Sequence, residues 1–201
     1  MSSHYSLFTS KYPILDTKNM NELERFRQIK TFIFDVDGVL TNSDLIVLEN
    51  GQLLRKMNTR DGYALKRAVQ KGYHVCIITG GKSSGVEARL QGLGIKEIYK
   101  GVQDKVEKYK YHIHAYELDP EYILYMGDDM PDYDVMRLVG FPCCPSDAAP
   151  EILNICQYVS PVRGGSGCVR DVIEKVLKLN NDWFDEVEKP GIELEINIPE
   201  E

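Results

Sequence analysis

Strand-type and helix-type segments alternate along this chain from residue 31 to residue 179, and that alternation leaves few architectures open. Compact apolar runs occupy 31–35, 73–79, 95–99, 122–126, 141–144 and 158–159. Between them, at 61–71, 83–91, 102–115, 131–139 and 166–179, apolar residues recur every three or four positions. A short helix over 19–30, with Met20, Leu23 and Phe26 spaced by three, precedes the first run, and a single helical turn fits 148–153. Strands this continuously apolar are covered on both faces. The pattern predicts an α/β fold: a Rossmann-like open parallel sheet with helices on both faces. In such sheets ligands bind beyond the carboxyl ends of the strands, where the strand order reverses.

One segment interrupts the alternation. Glu49-Asn50-Gly51-Gln52 separates two apolar stretches, and Asn-Gly there predicts a β-hairpin, a flap over 43–57. Its first arm, Leu45-Ile46-Val47-Leu48, is apolar on both faces. A surface hairpin has one polar face, so something covers the second one; a partner subunit is the simplest candidate.

Polar groups fall where a parallel sheet places its site. Asp35 and Asp37 follow the first strand, Thr79 follows the second, and Asp128, Asp129 and Asp132 follow a later one. Lys105 lies near the start of the helix between them. Taken singly, each has an ordinary structural explanation, as a turn, a strand end or a solvated helix residue. Their ordered convergence on strand ends carries the signal. Carboxylates crowded at one sheet edge repel each other, and a divalent cation relieves that repulsion. An oxygen-only ligand set with room for water suits Mg²⁺. Asp35 can then act as a nucleophile toward phosphorus, and Asp37 as acid to the leaving alcohol and base to water. The Thr79 hydroxyl and the Lys105 ammonium can hold the phosphate oxygens, as phosphoryl transfer demands.

Charge and cysteines narrow the class. The net charge is −7, but eight of the 31 acids and one of the 24 bases lie in 181–201, so residues 1–180 are balanced. A neutral body argues against nucleic acid as a partner. No apolar run approaches membrane length, and Met1–Asn19 has no apolar signal core, so a cytoplasmic protein is expected. Five cysteines without a CxxC spacing fit small thiols in a reducing compartment.

Asp35-Val36-Asp37-Gly38-Val39, Thr79-Gly80, Lys105 and Gly127-Asp128-Asp129-Met130-Pro131-Asp132 together resemble the haloacid dehalogenase superfamily of phosphohydrolases. Within it the chain is similar to a small capless subgroup, the 3-deoxy-D-manno-octulosonate 8-phosphate phosphatase family. That likeness also runs through Asn58-Thr59-Arg60-Asp61-Gly62, Gly101-Val102-Gln103-Asp104-Lys105 and Gly164-Gly165-Ser166-Gly167-Cys168-Val169-Arg170. It implies an enzyme without a large cap domain that hydrolyses a phosphorylated sugar acid through an aspartyl-phosphate, in cell-envelope sugar synthesis. Asp35, Asp37, Thr79 and Lys105 would be catalytic; Asp35, Asp37 and Asp128 would hold Mg²⁺, with Asp129 and Asp132 behind them. Asn58, Thr59, Arg60, Asp61, Gly62, Lys66, Gly80 and Arg89 would bind substrate. The likeness further implies a homotetramer with its hairpins packed at the centre.

Two positions depart from the family pattern. Gly81 stands where Arg often follows Thr-Gly, and Lys66 stands where Arg is common. Arg and Lys differ at a bidentate carboxylate site, so an eight-carbon and a nine-carbon sugar acid remain alternative substrates. A non-catalytic tetrameric assembly protein is the reading of a different class, and it would have lost Asp35, Asp37 or Lys105. A receiver-like signalling domain would carry its phosphoacceptor on the middle strand. The glycine loop at 164–167 is expected to pack near the site or the interface. The expected organisation is an N-terminal arm at 1–18, the phosphatase domain at 19–180 and an acidic tail at 181–201. In that tail Ile192, Leu194, Ile196 and Ile198 alternate with polar residues, which suits either a docked strand or disorder.

Overall fold

In the computed structural model, residues 21–184 are described. The first helix, α1 (Glu22–Gln28), starts at an Asn21 cap whose side chain accepts the Glu24 N–H, while Glu24 returns the bond to Asn21. This reciprocal box fixes the helix start at Glu22, three residues after Asn19. Six strands form one sheet: β1 (Thr31–Phe34), β4 (His74–Ile78), β5 (Glu97–Tyr99), β6 (Ile123–Met126), β7 (Phe141–Cys144) and β8 (Tyr158–Val159). Their order is β5-β4-β1-β6-β7-β8, and every pairing is parallel. Two short strands, β2 (Ile46–Val47) and β3 (Leu53–Leu54), pair antiparallel as the expected hairpin.

The connecting helices are α2 (Thr59–Gln70), α3 (Ser84–Gln91), α4 (Lys105–Ala115), α5 (Met130–Met136), α6 (Pro150–Leu153) and α7 (Cys168–Leu179). Strand alternation splits the core in two. Phe32, Phe34, Val75, Ile77 and Met126 face α1, α2, α3 and α7. Ile33, Cys76, Ile78 and Tyr125 face α4, α5 and α6. No cap domain occurs among the described residues. Beyond β1 the chain builds outward through β4 to β5, then returns to the other side of β1 at β6. The reversal therefore lies between β1 and β6, and their carboxyl ends open the crevice.

Part of the stretch expected as a tail packs on the body. The chain does not leave the body at residue 180. Trp183 is 3% exposed and belongs to the core under α2 and α7. Arg67 Nε donates to the carbonyls of Asp182 (3.0 Å) and Trp183 (3.1 Å), and Tyr73 OH donates to Asp182 (2.9 Å). The charge pattern suggested a tail from 181, but a single tryptophan buries enough surface to carry the chain back onto the domain. The arm at 1–18 and the alternating stretch at 192–198 lie outside the described residues.

At the opposite end of the sheet from the crevice the buried His112 meets the half-buried His74. His74 Nε2 and His112 Nε2 are 2.8 Å apart, and Tyr99 OH is 3.0 Å from His112 Nδ1. Burial, then the neighbouring His74, pushes His112 down to about 4. An unfolded chain takes up that proton near pH ~6.5. Protonation therefore favours the unfolded state as pH falls from ~6.5 toward ~4, and stability drops across that window. Thermal melts in an acid series should show this fall, and His112→Gln should flatten it. A wild-type profile no steeper than the variant's would refute the account.

Candidate active site

The loop after β1 carries the first carboxylates. Asp35 is 6% exposed, and its N–H donates to the Met126 carbonyl (3.1 Å), which ties the residue to the end of β6. The chain then turns through Gly38, at φ +93°, and is closed by the Thr41 N–H donating to the Val36 carbonyl (3.0 Å). Gly38 is required twice over. Its φ disfavours side chains, and a Cβ there would stand 1.8 Å from Asp128 Oδ2. The backbone of one acidic loop thus packs directly on the carboxylate of the other.

Lys105 opens α4 and is 7% exposed. Its Nζ lies 2.9 Å from Asp35 Oδ1 and donates to Asp132 Oδ1 at 2.7 Å. Tyr125 OH donates to the same Asp132 oxygen at 2.6 Å. Asp132, 1% exposed, is thereby a fixed anchor for the lysine. Burial works against the Lys105 charge, but the Asp35 and Asp132 carboxylates outweigh it and raise the ammonium's pKa.

Asp35, Asp128 and Asp132 each offer a carboxylate oxygen within 4.8 Å of the others. Burial, then repulsion from Asp132, raises Asp35 to about 7. Burial, then Asp132 and Asp129, raises Asp128 to about 7. One lysine does not neutralise this cluster. Buried, mutually repelling hard oxygen donors are the set a small divalent cation fits. Asp129 is exposed and caps α5 without a side-chain cap bond.

The expected residues do not all converge. Asp35, Lys105, Asp128 and Asp132 form one cluster, and Thr79, 5% exposed, ends β4 beside Gly80 and Gly81. The Asp37 carboxylate is instead held by Arg55, a residue that sequence reasoning did not single out. Asp61 is turned into the body. It is 1% exposed and accepts the Arg170 N–H (2.7 Å), tying α2 to the start of α7, and burial raises it to about 6. Asn58 caps α2 by accepting the Arg60 N–H (2.8 Å). The stretch 58–62, expected as pocket lining, is thus the first turn of a helix, with Thr59 and Arg60 exposed on it. Lys66 is exposed one turn further along. Gly62 is buried, and a Cβ there would meet Arg89 Nη2 at 2.6 Å.

A cleft of about 860 Å³ opens between the hairpin and α3, lined by Arg55, Lys82 and Arg89 with Leu54 and Met57 among the apolar residues. The glycine loop packs on the turn after β1: a Cβ on Gly164 would lie 2.0 Å from the Gly38 carbonyl, and the Gly165 N–H donates to the Val39 carbonyl (2.9 Å). Tyr125 was legible in principle, as the one polar tip in a fully buried strand. Arg55 had no such signal, since a charge after a hairpin arm is ordinary.

A buried carboxylate directly after the first strand, paired with lysine and further acids across a sheet switch point, is the arrangement of a phosphohydrolase site. Residues 93–170 match the family model of haloacid dehalogenase-like hydrolases. A 3-deoxy-D-manno-octulosonate 8-phosphate phosphatase of Yersinia pestis is 33% identical over 177 residues, covering 88% of this chain and 92% of that protein. The Escherichia coli K12 enzyme of the same name is 36% identical over 155 residues, covering 77% and 82%. The Y. pestis crystal structure superposes with a TM-score of 0.78 at 34% identity, covering 80% of this chain and 87% of that one. A Moraxella catarrhalis phosphatase of that name, solved with magnesium, phosphate and KDO, gives 0.77 at 30% identity, covering 80% and 92%.

The chain belongs to the haloacid dehalogenase-like hydrolases. It is a phosphoric monoester hydrolase of the type those relatives represent. No described helix is long and apolar enough to cross a membrane.

Proposed function

We propose that this protein hydrolyses 3-deoxy-D-manno-octulosonate 8-phosphate to the free sugar acid and phosphate, with Mg²⁺ bound and through an aspartyl-phosphate. The observation that carries the reading is the Asp35–Lys105–Asp132 triad beside Asp128, on a chain whose relatives bear that phosphatase name. Asp35 and Asp128, with the Asp37 backbone carbonyl, would hold Mg²⁺, supported by Asp129 and Asp132. The bound ion supplies positive charge against the carboxylates and the phosphate.

Asp35 attacks phosphorus through one carboxylate oxygen, and the ester P–O bond breaks. Asp37 gives its proton to the departing sugar oxygen. Water then attacks the aspartyl-phosphate, Asp37 takes a proton from it, and the Asp35 carboxylate is released with inorganic phosphate. Lys105, fixed by Asp132, and the Thr79 hydroxyl hold the non-bridging oxygens. Gly80 leaves room for the phosphate beside Thr79. Arg89, together with Asn58, Thr59, Arg60 and Lys66 presented to a neighbouring subunit, would contact the sugar acid. Cytoplasmic envelope-sugar synthesis is the setting this reaction suits.

Phosphate release assays should give a higher kcat/KM for the eight-carbon substrate than for a nine-carbon ketodeoxynonulosonate 9-phosphate. The reverse order favours the second reading, which the glycine at 81 keeps open. The assembly proposed is a homotetramer built on the hairpins. Ile46 and Val47 are 59% and 69% exposed, and Leu53 and Leu54, each 45% exposed, pair with them across the strands. A patch of this kind on a charged surface is characteristic of an interface. Light scattering should give a tetramer, and the double variant Ile46→Lys, Val47→Lys should be a monomer. A monomeric wild type refutes the assembly.

A further inference from the structure

Asp37 has both carboxylate oxygens engaged. Arg55 Nε donates to Oδ1 at 2.6 Å, and Arg55 Nη2 donates to Oδ2 at 3.0 Å. This is the fork geometry in which guanidinium binds carboxylate most firmly. Arg55 directly follows β3, so the contact ties the hairpin to the catalytic turn. The arginine side chain is only 7% exposed, while that of Asp37 is 36% exposed. Gly81 makes the approach possible. A Cβ at 81 would stand 3.2 Å from Arg55 Nη2 and 3.3 Å from Asp37 Oδ2, tighter than most side chains tolerate. Arg55 is also among the residues that line the cleft, with Lys82 and Arg89.

With both oxygens engaged in the fork, the Asp37 carboxyl is turned to Arg55 and is not free to swing to a departing alcohol. The pair must therefore open for Asp37 to work, and opening it leaves a nearly buried guanidinium without its partner. A carboxylate entering the cleft offers Arg55 an equivalent fork, and the exchange then costs little. A substrate with an uncharged sugar offers no such replacement. We propose that Arg55 is a latch on Asp37 that the carboxylate of an acidic sugar phosphate opens, which makes it a specificity-determining residue. The proposal rests on the reading of Asp37 as the acid and base given above.

The test uses two primary alkyl phosphates that differ in the carboxylate, 6-phosphogluconate and glucose 6-phosphate, with the full-length protein and Mg²⁺. Wild-type protein should prefer 6-phosphogluconate in kcat/KM. Arg55→Gln should shrink that preference by about 10- to 100-fold, the range for a charge-assisted contact. Its kcat on glucose 6-phosphate should rise, by at least about 3-fold, because Asp37 is no longer held in the closed state. Arg55→Lys, which keeps the charge without the fork, should fall between; it carries the test alone if the glutamine variant melts far below wild type.

Equal losses on both substrates would make Arg55 a mere support of the loop and overturn the proposal, as would an unchanged preference. The larger reading fails separately. Wild-type protein that releases no phosphate from 3-deoxy-D-manno-octulosonate 8-phosphate refutes that substrate, while the hexose pair still reads the latch.

Discussion

Asp35→Asn is expected to abolish phosphate release, by at least about 10⁴-fold, while leaving the protein folded. The amide keeps the shape of the carboxylate but has no charged oxygen to attack phosphorus. The second half of the expectation concerns stability. Asp35 is buried beside Asp132, and burial together with that repulsion raises it to about 7. An acid raised in the folded state holds its proton more tightly there than in the unfolded chain. Stability is then full below the unfolded value near ~4 and is lost as pH rises toward ~7. The variant lacks that loss. In metal-free buffer above neutral pH its melting temperature should equal or exceed that of wild type. Activity assays and melts on the same preparations separate the two effects. Residual turnover within tenfold of wild type would remove Asp35 from the role of nucleophile. A large drop in melting temperature would instead show that its charge stabilises the fold.

Removal of divalent cations should have an effect of similar size on turnover. Asp35, Asp128 and Asp132 lie within 4.8 Å of one another, with Lys105 bonded to two of them. Without a cation the cluster retains excess negative charge at the position a dianionic phosphate must enter. Chelation should therefore silence the enzyme, and added Mg²⁺ should restore it. Binding to the folded state alone also raises stability by RT ln(1 + [L]/Kd), about 2.7 kcal/mol at a hundredfold excess over Kd. Mg²⁺ should accordingly raise the melting temperature of wild type, and Asp128→Asn should weaken that rise. Full activity after exhaustive chelation would refute the metal's role.

The two results bear on the same geometry from different sides. Lys105 and Tyr125 hold Asp132 in place, and in turn it holds Lys105. A change at Asp132 should thus act through the lysine. Arg55 plays the corresponding part for Asp37, and these two pairs together fix which carboxylates are available to react.

Much of this was legible in the chain. Six apolar runs separated by helical periods specify a doubly covered parallel sheet, because backbone hydrogen bonding and two-faced burial leave little else. Carboxylates placed directly after those runs arrive at the carboxyl edge by strand geometry alone. Helix starts are local too: Ser83 accepts the Val86 N–H at the start of α3. Two placements were not legible in the chain, and they share a cause. The stretch 58–62 was expected to bind substrate, and the structure makes it the capped start of α2, with Asp61 bonded to the start of α7. Trp183 looked like part of a tail, yet it packs under α2 and α7.

What the sequence by itself determined is the order of elements, the strand ends and the inventory of acids, Thr79 and Lys105 that they carry. These follow from local periodicity and from chain geometry, which act over a few residues. Only the tertiary structure decided which carboxylate pairs with which cation. Arg55 reaches Asp37 because Gly81, far along the chain, has no side chain in the way, and Asp128 closes on Asp35 because Gly38 leaves it room. Contacts between segments so distant depend on how whole elements pack, and no local pattern records them.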